Sequence, residues 1–122
     1  MFVRLLIVAA AALSSTPLWA QSSLQLRISF DASGCPLSVS EPRLQARRGR
    51  RIVWQAVNAA GEPTRERFEI FFDPLRGSQL RARAGRVGRP IDRTAPIAEY
   101  KYTVLGDRCS DRPLDPVIRV VN

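Results

Sequence analysis

The sequence predicts an all-β fold, a Greek-key antiparallel β-sandwich of about seven strands. Three observations lead to this fold class. Apolar and polar residues alternate with a period of two in several short stretches, turn-forming residues separate these stretches, and no window beyond the N-terminus has the apolar spacing of an amphipathic helix. About seven short strands in roughly 100 residues are typical of a sandwich, and a small closed barrel is the alternative.

The predicted strands follow one another at short intervals along the chain. The clearest alternation runs over residues 24–30 and ends at the turn-forming residues 31–34. Pro116 comes just before the last predicted strand. Residues 76–96, which include three glycines, are predicted to form a loop across one end of the sandwich. The predicted strands cover residues 24–30, 36–40, 43–47, 52–57, 68–72, 99–104 and 117–121.

The alternation also predicts which side chains form the core. Residues of inward parity within each strand are expected to be buried, with Trp54 as the largest of them. Because the aromatic residues of these strands sit at strand parity, we interpret them as core rather than as a stacking site for a ligand. The predicted core consists of Leu26, Ile28, Phe30, Ile52, Trp54, Phe68, Ile70, Phe72, Tyr100, Tyr102, Val104, Ile118 and Val120.

Residues 1–20 have the three-part plan of a secretory signal peptide. Arg4 precedes an apolar run, and a short polar stretch then leads to the small residue Ala20. An apolar run of about nine residues is too short to cross a hydrocarbon core of roughly 30 Å as a helix. We therefore expect one exported domain over residues 21–122, periplasmic or secreted, with no transmembrane span after processing.

Cys35 and Cys109 are the two cysteines of the chain. An even number of cysteines in a small exported domain favours a disulfide. Closing so long a loop stabilises the folded state by roughly 4 kcal/mol in the chain-entropy model. The alternative, a redox-active or metal-binding pair, lacks the CxxC spacing that lowers a thiol pKa.

Three segments of the chain resemble cupredoxins. Residues 47–58, RRGRRIVWQAVN, resemble the third-strand region of that family, where a basic turn with glycine leads into an apolar-x-Trp strand. Residues 100–104 resemble the aromatic strand before the metal loop, and residues 115–120 resemble the last strand after it. The resemblance implies a cupredoxin-like sandwich. An immunoglobulin-like sandwich remains the alternative, since the alternation does not separate the two topologies.

The ligand types that a cupredoxin copper site uses are missing from this chain. In that family, the copper ligands are two imidazoles and one thiolate, often with a weak axial methionine. The chain has no histidine, and its one methionine is Met1. Asn58 stands near the position of a first imidazole, while Cys109 lies in the expected metal loop. The resemblance therefore implies a copper-free domain with a cystine-linked loop, and we predict no cofactor and no metal site.

The composition also excludes several classes of enzyme mechanism. Without histidine there is no Ser-His-Asp triad and no cysteine nucleophile paired with imidazole. Asp107, Asp111 and Asp115 recur every four residues, but they lack the DxDxDG pattern of a calcium loop and are interpreted as solvated charges. Lys101, the one lysine, has the polar parity of a predicted strand. We therefore expect a non-catalytic binding or structural module of the cell envelope.

The formal net charge of +8 comes from 19 basic and 11 acidic residues, and nearly all the basic ones are arginine. Guanidinium groups bind phosphates and carboxylates in a bidentate manner.

The alternative function is therefore binding through the arginine-rich surface. The ligand would be an anionic envelope component, such as a polysaccharide or lipid head group, or an acidic protein. A solvated, compositionally arginine-rich surface is the other interpretation, and nucleic acid is disfavoured by export. One cluster contains Arg43, Arg47, Arg48, Arg50 and Arg51, and the other Arg76, Arg81, Arg83, Arg86, Arg89 and Arg93. The candidate anion contacts are Arg81, Arg83, Arg86 and Arg89.

Overall fold

The computed structural model describes residues 23–72 and 79–122, and these residues form strands joined by turns and loops. The predicted signal peptide, residues 1–20, lies outside the described residues. Within them, no helix is long and apolar enough to cross a membrane. The strands are β1 (Ser23–Phe30), β2 (Pro36–Val39), β3 (Arg43–Arg47), β4 (Arg51–Val57), β5 (Phe68–Phe71), β6 (Gln79–Ala82), β7 (Arg86–Pro90), β8 (Ala98–Lys101), β9 (Thr103–Gly106), β10 (Cys109–Leu114) and β11 (Val117–Val121).

The strands form three sheets. The first sheet has the order β2-β1-β4-β7, the second sheet β10-β9-β5-β6, and the third sheet β3-β11-β8. The all-β sandwich is confirmed, although the described chain contains eleven strands rather than about seven. Two pairs, β1 with β4 and β3 with β11, are parallel, so the expectation of a wholly antiparallel arrangement is corrected. Periodicity within a strand predicts which face is buried, but it carries no information on the direction of the neighbouring strand.

The core lies where the inner faces of the sheets meet. Every predicted core residue is buried except Tyr100, which is half-buried. The Tyr100 ring packs edge-on against Phe72, with ring centres 6.2 Å apart, and its hydroxyl donates to the carbonyl of Pro96 at 2.6 Å. Its polar group therefore stays at the surface, as an amphipathic ring favours. Trp54 and Phe72 both contact Tyr102 at ring distances of 5.7 Å and form the aromatic centre of the core.

The single strand predicted over residues 99–104 is divided into β8 and β9. The β8 strand pairs with β11 in the third sheet, whereas β9 pairs with β5 in the second. Between them the backbone N–H of Tyr102 donates to the carbonyl of Pro116 at 3.0 Å. The chain thus passes from one sheet to another without losing its alternation, which is why the sequence pattern reads as one strand.

The loop predicted over residues 76–96 is wrong in part, because β6 and β7 lie within it. The β6 strand does alternate, with Leu80 and Ala82 inward, but it is only four residues long, and β7 has no fully buried residue, so neither strand shows a clear pattern in the sequence. Gly85 makes the turn between these strands with a φ of +81°. A Cβ at this position would overlap the carbonyl oxygen of Thr64, so glycine is required there for space as well as for conformation.

Candidate anion-binding surface

The four arginines predicted as anion contacts lie on strands of two sheets and in the turn between those strands. Arg81 lies on β6 of the second sheet, Arg86 and Arg89 lie on β7 of the first sheet, and Arg83 lies between β6 and β7. Arg86 is the cross-strand neighbour of Gln55, while Arg89 is the neighbour of Ile52. The four residues that are close in sequence are therefore not carried by a single sheet. Arg76, from the same cluster, lies outside the described residues.

Arg81 and Arg83 line a polar cleft of about 360 Å³ together with Arg67. Two carboxylates, Glu69 and Asp107, line the same cleft. The guanidinium of Arg81 lies 3.4 Å from a carboxylate oxygen of Glu69. The positive charge of this cleft is thus largely balanced. Sequence reasoning missed Arg67, although its outward parity next to Phe68 was a usable signal.

The outer face of the third sheet carries a net positive charge. Arg43 and Arg47 point outward from β3, Arg119 from β11 and Lys101 from β8, and all four are exposed. We call these four residues the cationic face. One acidic residue of these strands, Glu99, is the cross-strand neighbour of Arg119. Only Arg43 and Arg47 belong to an arginine cluster of the sequence, because the other two residues arrive from distant strands.

A groove of about 580 Å³ lies at one end of the cationic face. Its wall on the first sheet comes from β2, where Leu37 is 54% exposed. Val117 of β11 forms part of its floor, with Arg43 and Lys101 as the two cross-strand neighbours of Val117. The groove therefore combines apolar side chains with two cations on either side of one of them. Its other apolar lining residues are Val39, Pro42, Leu114 and Pro116.

The predicted disulfide is present. Cys35, just before β2, and Cys109, at the start of β10, are joined with their Cα atoms 5.0 Å apart. The bond links the first sheet to the second. Both thiols are thereby used, so Cys109 is not available as a thiolate ligand in the loop where the resemblance placed one.

A surface ion pair stands beside this bond. Arg108 contacts Glu66 in a bidentate manner, with nitrogen–oxygen distances of 2.6 and 3.2 Å. The hydrogen bonds and the charge of Glu66 raise the pKa of Arg108 further above its usual value. The guanidinium also donates to the carbonyl of Ala32 at 3.4 Å. Arg108 is therefore engaged within the chain.

The three recurring aspartates do not converge on one point. Asp107 lines the cleft of the second sheet, whereas Asp115 lines the groove and accepts a hydrogen bond from the Thr103 hydroxyl at 3.1 Å. Asp111 lies between them on β10. Within residues 23–72 and 79–122, no three histidine, cysteine, aspartate or glutamate side chains are grouped so as to hold a metal ion. The sequence-based interpretation of these aspartates as separate solvated charges agrees with their exposure.

The one buried group with a strongly shifted pKa is in the core of the described chain, not at its surface. Burial raises the pKa of the Tyr102 hydroxyl to about 12, and the neighbouring Trp54 indole opposes part of that shift. Neither the Tyr102 oxygen nor the Trp54 nitrogen has a hydrogen bond of ordinary geometry. No charged side chain is buried in the described part of the chain. The ionisable chemistry of these residues thus lies at the surface, in the cationic face, the cleft and the groove.

Comparison with known proteins gives similarity in structure but not in sequence. No protein-family model matches the chain, and no curated protein matches it in sequence. A purple cupredoxin from Nitrosopumilus maritimus is similar in structure, with a TM-score of 0.47 and 16% identity over 80% of this chain and 98% of that one. A reduced Cu(I) form of an amicyanin variant has a TM-score of 0.44 and 10% identity over 78% of this chain and 80% of that one. The N-terminal domain of ORF48 of phage TP901-1 has a TM-score of 0.43 and 11% identity over 82% of this chain and 98% of that one.

Cupredoxins are thus among the structures that this chain is similar to, as its sequence motifs indicated. At these identities the likeness concerns the fold alone, and a fold does not specify a function. The function has to be argued from the surface groups of this chain.

Proposed function

We propose that this chain is an exported, non-catalytic binding module of the cell envelope. The observation that carries the proposal is the cationic face, where four exposed positive groups lie on strands that contain one carboxylate, Glu99. Catalytic sites usually collect titratable groups of perturbed pKa in a cleft. In the described chain the perturbed groups are Tyr102, inside the core, and Arg108, paired with Glu66 at the surface. That distribution supports a role in binding rather than in catalysis.

Export is the part of this proposal that rests on residues 1–20. If they act as a signal peptide, the mature protein begins at Gln21 and carries the disulfide of an oxidising compartment. Fractionation of the source cells, followed by intact-mass measurement, checks this directly. We expect the mass of residues 21–122, reduced by two hydrogens, in the periplasmic or secreted fraction. A full-length mass in the cytoplasm contradicts export.

A second candidate function is more specific: the surface binds an anionic envelope ligand or an acidic protein. The excess of positive charge on the cationic face favours this function, because fixed positive charges attract and orient anions. Guanidinium groups add bidentate hydrogen bonds to phosphate or carboxylate. The polar cleft of the second sheet is less suited, since Glu69 and Asp107 offset its arginines.

Two variants of equal charge test this candidate. One replaces the cationic face, Arg43, Arg47, Lys101 and Arg119, by glutamine, and the other replaces Arg81, Arg83, Arg86 and Arg89 in the same way. Each variant removes four positive charges, and the measurement is the salt concentration that elutes the protein from immobilised heparin and from immobilised lipopolysaccharide. We expect the cationic-face variant to elute at clearly lower salt. Equal losses in the two variants mean that total charge alone sets retention, and they contradict a specific face.

A further inference from the structure

We propose that the groove between β2 and the third sheet binds an extended peptide of a partner protein, in which one apolar side chain lies between two carboxylates. This inference rests on the proposed binding function and assigns a ligand to one place on the surface. Two features of the groove carry it: an exposed apolar lining, and two cations placed symmetrically about a floor residue.

The groove has the size and the exposed apolar lining of a binding site. Its volume of about 580 Å³ falls within the range of sites that hold small ligands or side chains. Leu37 is 54% exposed, whereas most large apolar residues of the described chain are buried. Burying such a side chain against a partner removes apolar surface from water and favours association. Leu37 lies on β2 and is joined in the groove by Leu114 and Val117.

The charges determine what kind of chain fits. Arg43 and Lys101 are the neighbours of Val117 on opposite sides, so their Cα atoms lie about 10 Å apart at the usual strand spacing. Neither side chain has a hydrogen-bond or ion-pair partner among the described residues. Asp115 also lines the groove and accepts a hydrogen bond from Thr103, so the groove retains a net positive charge.

An extended peptide matches this spacing. Its side chains at positions i−2, i and i+2 share one face and span about 13 Å. An apolar side chain at position i then contacts Val117 and Leu37, while acidic side chains on both sides approach Arg43 and Lys101. An anionic amphiphile with a single head group satisfies one cation and leaves the other unpaired. The symmetry of the cations about Val117 therefore favours the peptide.

The test uses a fluorescent peptide with the core Glu-Thr-Leu-Thr-Glu and the full-length mature protein. We expect saturable binding that weakens as salt is added, and no binding of a peptide in which both glutamates are lysine. Leu37→Ser is expected to weaken binding about tenfold, because the contact with the peptide leucine is lost. Ile97→Ser is the matched control, since Ile97 is 55% exposed and does not line the groove.

Two further variants test the contribution of Arg43 and Lys101 to peptide binding. We expect Arg43→Gln and Lys101→Gln each to weaken peptide binding several-fold and to reduce its salt dependence. Arg83→Gln removes the same charge from the polar cleft, outside the groove, and is expected to leave binding unchanged. An equal loss in Arg83→Gln, or equal binding of the lysine peptide, overturns the proposal. Unchanged circular dichroism and unfolding midpoints show that each variant is folded.

Two further outcomes separate this inference from the proposed function. If decanoate displaces the peptide at a lower concentration than unlabelled peptide does, the groove is a site for an anionic amphiphile and the peptide assignment is overturned. If the peptide does not bind while retention on heparin still depends on the cationic face, the groove assignment fails and the binding module stands. If neither the peptide nor the anionic matrices bind, both proposals fail.

Discussion

At the scale of single residues, Tyr102 shows how burial determines the chemistry of a side chain. The residue is 1% exposed, and its ring lies between Trp54 and Phe72. Burial raises the pKa of its hydroxyl from 10.0 to about 12 because the phenolate is poorly solvated there. In the unfolded chain the same group ionises near its ordinary pKa. Ionisation of Tyr102 therefore favours unfolding at alkaline pH.

The expected consequence is a loss of stability as the pH rises from about 10 to about 12. Over this window the unfolded state releases a proton that the folded state retains, so the free energy of unfolding falls by on the order of 2–3 kcal/mol. Urea unfolding at a series of alkaline pH values measures it. In Tyr102→Phe this component of the alkaline loss is expected to be absent, and an identical pH dependence in that variant contradicts the assignment.

Gly85 gives a second test at the residue scale. Its φ is +81°, and an added Cβ would overlap the Thr64 carbonyl oxygen, so Gly85→Ala meets both strain and a backbone clash. We expect a loss of about 3 kcal/mol in the free energy of unfolding. Gly61→Ala is the matched control, because its φ is +79° but nothing lies within 4 Å of the added Cβ. It is expected to lose about 1 kcal/mol, and equal losses in the two variants argue against the clash.

At the scale of elements, β4 connects neighbouring parts of the first sheet. It pairs in parallel with β1 and antiparallel with β7. The side-chain amide of Gln55, on this strand, donates to the carbonyls of Thr64 and Gly85 at 3.3 and 3.1 Å. A single polar side chain thus joins the strand to the segment after it and to the turn before β7.

Gln55→Ala is expected to lower the free energy of unfolding by about 1–2 kcal/mol, because the half-buried amide no longer donates to these carbonyls. Gln45→Ala provides the control, since Gln45 is exposed on β3 and truncation there is expected to change stability by less than about 0.5 kcal/mol. Chemical unfolding of both variants measures the difference. A difference near zero between them shows that water replaces the amide without cost.

Strand-level prediction from the sequence succeeded where alternation was strong and failed where the chain changed sheets. Residues 24–30 show their alternation openly, and β1 covers nearly the same span. Residues 99–104 alternate just as well, yet they are divided between two sheets at Tyr102. Alternation reports which side of the chain is apolar, and that side remains inward when the chain crosses from one sheet to the next. The break depends on hydrogen bonding with β11 and β5, which are separate segments of the sequence.

At the scale of the whole molecule, the Cys35–Cys109 bond joins two sheets across a sequence separation of 74. Its main effect is to restrict the unfolded chain, because a closed loop of this length has far fewer conformations than an open one. Replacing both cysteines by alanine is expected to lower the free energy of unfolding by about 4 kcal/mol. Urea unfolding of the variant and of the oxidised protein measures the loss. Uptake of an alkylating agent by the oxidised protein without reductant contradicts the bond itself.

Only part of the candidate site could be predicted from the sequence. The sequence identified a basic surface and named Arg81 of the second sheet, Arg86 and Arg89 of the first sheet, and Arg83 in the turn between their strands. The cationic face could not be found in the same way, because Arg43, Lys101 and Arg119 come from three separate strands of the chain. Charge density along a sequence does not give charge density on a surface when neighbouring strands bring their own residues.

The sequence by itself determined the all-β class, the inward residues and the pairing of two cysteines, because each of these depends on local alternation or on composition. It also determined that the chain has no imidazole for a copper site of the cupredoxin kind. Only the tertiary structure decided which strands are parallel, where the chain changes sheets, and that Arg43 and Lys101 stand on either side of Val117. These features arise from hydrogen bonding and packing between segments that are distant in the sequence. The residues next to any one position in the chain do not reveal which distant segment will pack against it.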